Sequence, residues 1–148
     1  MNVGWQDGGK AVRPLVSFII PHYRGEKLLA GCLSSVYGQA TSVPYEVIVV
    51  DDCSDDGSID SVRGRFPGMK VLRLGRNVGP AAAKNRGVEE ARGDLIAFLD
   101  NDVEIDPHWL ENILGRLNEE REEVGVCASH ILLNGFDSHI NSTGGLVN

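Results

Sequence analysis

The sequence lacks most of what would staple or anchor a chain. Only three of its 148 residues are cysteine. Cys32, Cys53 and Cys127 are widely spaced with no CxxC pair, which argues against a disulfide framework or a zinc knuckle and fits a reducing compartment. No apolar run approaches the roughly 18 residues that cross a bilayer. Met1 to Pro14 is polar and Gly-rich rather than a signal peptide, so it reads as an unstructured leader and the expected location is cytoplasmic. Positive charge is also short: 14 Lys and Arg stand against 21 Asp and Glu, a net charge of -7, which speaks against a nucleic-acid binder held by phosphate contacts. No Walker motif and no GxGxxG follows a strand signal, so neither a P-loop NTPase nor a nicotinamide enzyme is indicated. Internal repeats and low-complexity tracts are absent too.

What is there is the balance of one ordinary globular domain, with 42% hydrophobic and 24% charged residues in a chain long enough to bury about 70% of its unfolded surface. Strand and helix signals alternate. Leu15 to Ile20 is a short apolar run stopped by Pro21, followed by a helical stripe of Leu28, Leu29, Cys32, Leu33 and Val36 ending near Gly38. Tyr45 to Val50 is a second strand that empties into Asp51, Asp52 and a turn-rich loop. A short helix over Ser58 to Phe66, a strand over Met69 to Leu74 and an alanine-rich helix over Gly79 to Ala91 come next. Pro80 is tolerated at a first helical position, which has no intrahelical donor to lose. Leu95 to Leu99 is a fourth strand running into Asp100, Asn101 and Asp102. A helix opens at Pro107, and Val124 to Leu133 reads as a fifth strand. Asn134 to Asn148, full of Gly, Ser, Thr and Asn, reads as loop. Alternation of this kind predicts an α/β fold with a mostly parallel central sheet flanked by helices. Ligands of such sheets bind outside the carboxyl ends of the strands, so the loops starting at Pro21, Asp51 and Asp100 should share one edge.

Charge follows that organisation. Seven Lys or Arg and no acid lie between Ser61 and Val88, while acids crowd Asp51 to Asp60 and Asp100 to Asp106. Two carboxylates two residues apart at a strand end, Asp100 and Asp102, can turn toward one hard cation, and Mg²⁺ or Mn²⁺ is commonly held by one or two carboxylates plus phosphates. A lone DxD has a plainer reading as solvated loop acid, but two acidic strand ends on one sheet edge are more telling. The Gly79-Pro80 helix start with three alanines after it lets a ligand approach closely, and Lys84 and Arg86 bring charge suited to a diphosphate.

Four segments, VSFIIPHY (Val16 to Tyr23), YEVIVVDDCSDDGS (Tyr45 to Ser58), RNVGPAAAKNRG (Arg76 to Gly87) and GDLIAFLDNDVEIDPHWL (Gly93 to Leu110), occur in an order and spacing that resemble the GT-A fold glycosyltransferases of the inverting family 2 type. The resemblance covers about Leu15 to Leu117. It implies a Rossmann-like GT-A domain over residues 15–133 and a nucleotide-diphosphate sugar, UDP-, GDP- or dTDP-linked, as donor. It also implies a divalent metal bridging the diphosphate and the DxD. By position, Pro21, His22 and Tyr23 would line the base pocket, Asp52 would bond the nucleobase, and Lys84 would sit near the nucleotide. Asp100, with Asn101, would face the ribose or a metal-bound water, and Asp102 would be the direct metal ligand with Asp100 beside it. Asp51 and Glu26 are further nucleotide-binding candidates. Where such enzymes usually carry Asn after Pro-x-Tyr, this chain has Arg24.

Residues 134–148 would lead toward an acceptor-binding segment that supplies the general base. Glu119, Glu120, Glu122 and Glu123 read as a solvated helix end, so no base is named here. The acceptor is expected to be a glycan or lipid-linked hydroxyl, with the enzyme working peripherally at the inner face of a membrane. A donor-binding module without activity of its own is the alternative. A phosphorelay receiver is a third reading, set back by an acid pair that follows the second strand and by the lack of a Lys after Lys84.

Overall fold

The computed structural model describes residues 6–7, 10–11, 13–119, 125–129, 131–133 and 136–142. The elements run β1 (Gln6–Asp7), β2 (Lys10–Ala11), β3 (Val16–His22), α1 (Glu26–Tyr37), β4 (Tyr45–Asp51), α2 (Ser58–Arg65), β5 (Lys70–Arg73), α3 (Pro80–Glu89), β6 (Leu95–Phe98), α4 (Trp109–Glu119), β7 (Ile131–Leu133) and β8 (Phe136–Ser142). The chain divides into two compact units, residues 1–108 and 109–148.

The first unit holds a four-stranded sheet in the order β5-β4-β3-β6, with every neighbouring pair parallel. β3 and β4 are buried almost throughout, which explains why both read as continuous apolar runs rather than alternating ones. Alternation still decides which helix each residue meets. Ile19, Ile48 and Val50 join Ala83 of α3 in one core cluster. On the opposite face, Tyr45 donates its hydroxyl to the Val36 carbonyl of α1 at 3.1 Å and meets Phe18 edge-to-face. α3 comes very close: a Cβ on Gly87 would overlap Ile19 Cγ2.

The apolar run did not end at Pro21. β3 continues to His22, with Pro21 opposite Val50. The odd positions of β3 point their backbone at β6, since Leu95 and Leu99 donate to Leu15 and Ile19, and β6 ends at Phe98. The N–H that proline lacks therefore falls where the neighbouring strand has run out.

Three further expectations are corrected. The leader contains a short antiparallel pair, Gln6–Asp7 with Lys10–Ala11, separated in sequence by a Gly8-Gly9 dipeptide of the kind that tight hairpins select. The fifth strand shrinks to Ile131–Leu133 and pairs not with the parallel sheet but antiparallel with Phe136–Ser142. Phe136–Ser142 is strand where loop was expected. The register sets Leu132 opposite Ile140 and Leu133 opposite Phe136, residues of good strand propensity obscured by the surrounding Gly, Ser and Asn. Residues 120–124, which include most of the acidic helix end, lie outside the described residues.

Candidate donor-binding site

The strand order places a topological switch at β3, which sends one crossover to β4 and receives β6 on its other side. The crevice at that point is where ligands of open α/β sheets sit. A groove of about 370 Å³ lies there, lined by Pro21, His22, Tyr23, Asp52, Asn77, Gly79, Pro80, Asp100, Asn101 and Asp102. Seven of the ten candidates from the sequence are thus brought together.

Asp51 and Asp52 part company for a geometric reason. Successive residues at a strand end face opposite sides of the sheet. Asp51 turns toward α2, accepts from the Ser54 N–H at 2.9 Å, and lines a separate groove of about 260 Å³ with Asp60 and Arg73. Asp52 turns toward α3, where its two oxygens accept the N–H groups of Val78 at 2.7 Å and Gly79 at 2.8 Å. Gly79 has φ 84 and ψ 162, a conformation open essentially only to glycine. The buried carboxylate thus ties the end of β4 to the start of α3.

Glu26 is exposed in the first turn of α1 and does not line the groove. Lys84 reaches the site indirectly, through a 2.8 Å ion pair with Asp100. Other members of the basic stretch are likewise matched to acids: Arg73 to Asp60, Lys70 to Glu90, Arg86 to Glu89. Among the described residues nothing hydrogen-bonds or ion-pairs with Asp102, an exposed carboxylate on the groove wall.

The loop carrying these acids is fastened to α1 along a seam that sequence reasoning missed. Cys32 Sγ lies 3.6 Å from the Asp100 carbonyl, and its thiol stays protonated because burial, and then the charges of Asp102, Glu104 and Asp100, push its pKa up to about 12. Ser35 Oγ accepts from the Ile105 N–H at 3.1 Å. Gln39 Nε2 donates to the Asp106 carbonyl at 2.7 Å, and the Ala40 N–H donates to the Pro107 carbonyl. Gly31 leaves room for Glu104, whose Oε1 would be 2.7 Å from an added Cβ. Gly31, Ser35 and Gln39 recur every fourth residue, so a small-and-polar stripe beside the apolar one was the available signal.

Arg24 now has a local explanation. It sits at φ 59, a left-handed conformation that asparagine tolerates better than most residues. Its guanidinium pairs with Asp55 and lies 5.0 Å from the Tyr23 ring centroid, and its N–H donates to Ser54 Oγ.

The model of the family "Glycosyl transferase family 2" matches residues 17–142. The chain belongs to that family. Glycosyltransferase AglE of Haloferax volcanii is 36% identical over 102 residues, covering 66% of this chain and 34% of that protein. The undecaprenyl-phosphate 4-deoxy-4-formamido-L-arabinose transferase of Aeromonas hydrophila is 36% identical over 118 residues, covering 76% and 36%. Among solved structures, residues 1-349 of S. aureus TarS in complex with UDP align with a TM-score of 0.67 and 26% identity over 82% of this chain and 42% of that fragment. The mannosyltransferase PcManGT of Pyrobaculum calidifontis, in complex with GDP-Man and Mn²⁺, aligns at 0.63 and 28% identity over 72% of this chain and 33% of its own. These neighbours carry the GT-A fold, and the family resemblance read from the four motifs holds. The chain spans about a third of the length of the curated relatives it matches. Family and strand order together set the receiver reading aside.

Proposed function

We propose that the groove is the donor site of a glycosyltransferase. It takes a nucleotide-diphosphate sugar, linked to UDP, GDP or dTDP, and the whole protein passes the sugar to an acceptor hydroxyl with inversion at the anomeric carbon. The observation that supports this most is that Asp52 and Asp102, far apart in sequence, line one hollow together with the glycine-opened start of α3. Tyr23 offers an exposed ring on which a base can stack. Asp52 keeps its remaining lone pairs for base-edge donors. Gly79 and Pro80 present a helix N-terminus to the diphosphate.

The donor set suits a hard divalent cation. Asp102, exposed and without a partner among the described residues, and Asp100, now paired with Lys84, are the residues that would hold Mg²⁺ or Mn²⁺. Bound there, the ion would neutralise charge on the departing diphosphate. Lys84, released from Asp100, would become a second counter-charge for that diphosphate. In the displacement the acceptor oxygen gives its proton to a carboxylate and forms a bond to the anomeric carbon, as the bond from that carbon to the diphosphate oxygen breaks with its electron pair. The groove's carboxylates are engaged on the nucleotide side. The base is therefore expected from the part of the relatives' length that this chain does not span.

That division favours a second reading of the chain by itself: a donor-binding module that needs the acceptor half to turn over. UDP-sugar hydrolysis with Mn²⁺ separates the two. A glycan or lipid-linked acceptor suits both, as does work at the inner face of a membrane by peripheral contact from the cytoplasm. No described helix is long and apolar enough to cross a membrane.

Calorimetry of UDP and GDP with Mn²⁺ against the chain and its Asp102→Ala variant tests the assignment. The expected result is cation-dependent binding of at least one nucleotide, lost in the variant. Equal affinity in both proteins would overturn it.

A further inference from the structure

His22 is almost fully buried, at 1% exposure, and both its ring nitrogens are engaged. Nε2 is 2.7 Å from Ser58 Oγ and Nδ1 is 3.0 Å from Asn101 Nδ2. The direction of the hydrogen bond between His22 and Ser58 follows from the far end of the network. Asp56 accepts from the Gly25 N–H at 2.8 Å, the Ser58 N–H at 3.1 Å and the Ser58 hydroxyl at 2.6 Å, and the Ser58 and Gly25 bonds hold its carboxyl down at about 2. An ionised carboxylate only accepts, so the Ser58 proton points at Asp56. Ser58 Oγ must then accept from His22, which puts the imidazole proton on Nε2. In a neutral ring Nδ1 is then bare, and the Asn101 Nδ2 amide, a donor, faces it. Burial favours that neutral ring: it lowers the His22 pKa against the opposing pull of Asp51 and Asp56.

Asn101 is the middle residue of the Asp100-Asn101-Asp102 turn. We propose that His22 is a positioning residue, whose bare Nδ1 fixes the Asn101 amide and thereby sets the direction of the Asp100 and Asp102 carboxylates before any ligand arrives. The network starts at the α1 and α2 entrances, passes through the end of β3 and finishes in the acidic turn. The chain's own loops thus preform the diphosphate-and-cation end of the groove. This inference rests on the donor-site reading above.

Two substitutions separate its halves. His22→Asn places an acceptor oxygen near the Nδ1 position and gives up the link to Ser58. His22→Gln reaches the Nε2 position and gives up the acceptor for Asn101. Each variant forfeits one hydrogen bond, so a merely structural histidine would make the pair alike. With Mn²⁺ and UDP, or GDP if the unsubstituted chain prefers it, calorimetry is expected to show His22→Asn binding about tenfold tighter than His22→Gln. Equal affinities, or the reverse order, would overturn the proposal. Side-chain ¹⁵N NMR of the ligand-free protein supplies an independent readout. It should show the proton on His22 Nε2 and an Asn101 amide protected from exchange in the unsubstituted chain and in His22→Asn, but not in His22→Gln. An unprotected Asn101 amide, or a proton on Nδ1, contradicts the positioning role. If the unsubstituted chain binds neither nucleotide, the donor-site reading fails, and the NMR result alone decides whether His22 holds Asn101.

Discussion

The two ends of the parallel sheet are built from the same residue types and put them to opposite uses. At the amino end Glu46 is half-buried and fully engaged. It accepts from the Ser17 hydroxyl at 2.7 Å, from the Arg92 N–H at 2.6 Å and from the Arg92 guanidinium at 3.0 and 3.1 Å. Burial pushes the Glu46 carboxyl up, but those hydrogen bonds and the Arg92 charge outweigh it and hold it low. Ser17 in turn accepts from the Gly93 N–H at 2.9 Å. Every partner there is supplied by the chain. At the carboxyl end Asp52, His22 and Asn101 are fastened just as firmly, yet they frame Asp102, which has no partner among the described residues, and Asp100, whose partner is a lysine side chain. A sheet end that closes on itself contributes stability. One that leaves carboxylates pointing into a hollow gives up some stability, and on the proposed donor-site reading it gains a place for a cation and a phosphate.

That contrast can be broken by substitution. Gly93→Ala should have the largest effect on folding, because an added Cβ would meet the Ser17 nitrogen at 2.7 Å and the Val16 carbonyl carbon at 2.8 Å. Backbone cannot yield as a flexible side chain does, so a loss of about 3 kcal/mol is expected from the urea midpoint at unchanged slope. Glu46→Gln replaces an acceptor facing the Arg92 guanidinium with an amide donor, and should cost about 1–3 kcal/mol, with nucleotide affinity unaltered in the folded protein. At the other end, His22 makes stability depend on pH. Its folded pKa is below the ordinary 6.5, so below pH 6.5 the unfolded chain holds the extra proton and stability falls as pH drops, until folded His22 itself protonates. The slope is at most about 1.4 kcal/mol per pH unit. His22→Asn should remove that contribution from a series of melts. Asp102→Ala should change unfolding free energy by less than about 0.5 kcal/mol while abolishing the cation dependence. A large stability loss there would mean that the carboxyl end is scaffold as well.

Much of this arrangement was legible from the residues. Buried strands announced themselves because β3 and β4 are covered on both faces, and Asp52, Asp100 and Asp102 could be assigned to one edge because parallel strands share a direction. Harder to read were contacts that depend on which way a residue faces. The split between Asp51 and Asp52 follows from pleat parity, which requires the strand's end to be placed correctly, and the apolar run stops at Val50 although β4 continues through Asp51. His22 looked like pocket lining, since nothing in the sequence joins it to Ser58 and Asn101. The α1 seam was hidden by the apolar stripe beside it, and the β7–β8 pair by a polar background.

Paramagnetic mapping tests the central claim most directly. Backbone amides of the chain with UDP, or GDP, and a trace of Mn²⁺ should broaden around Asp100 to Val103 and around Val78 and Gly79, leaving Ser17, Arg92 and Gly93 sharp. Broadening centred instead on Asp55 and Asp60, or none that depends on the nucleotide, would contradict the account.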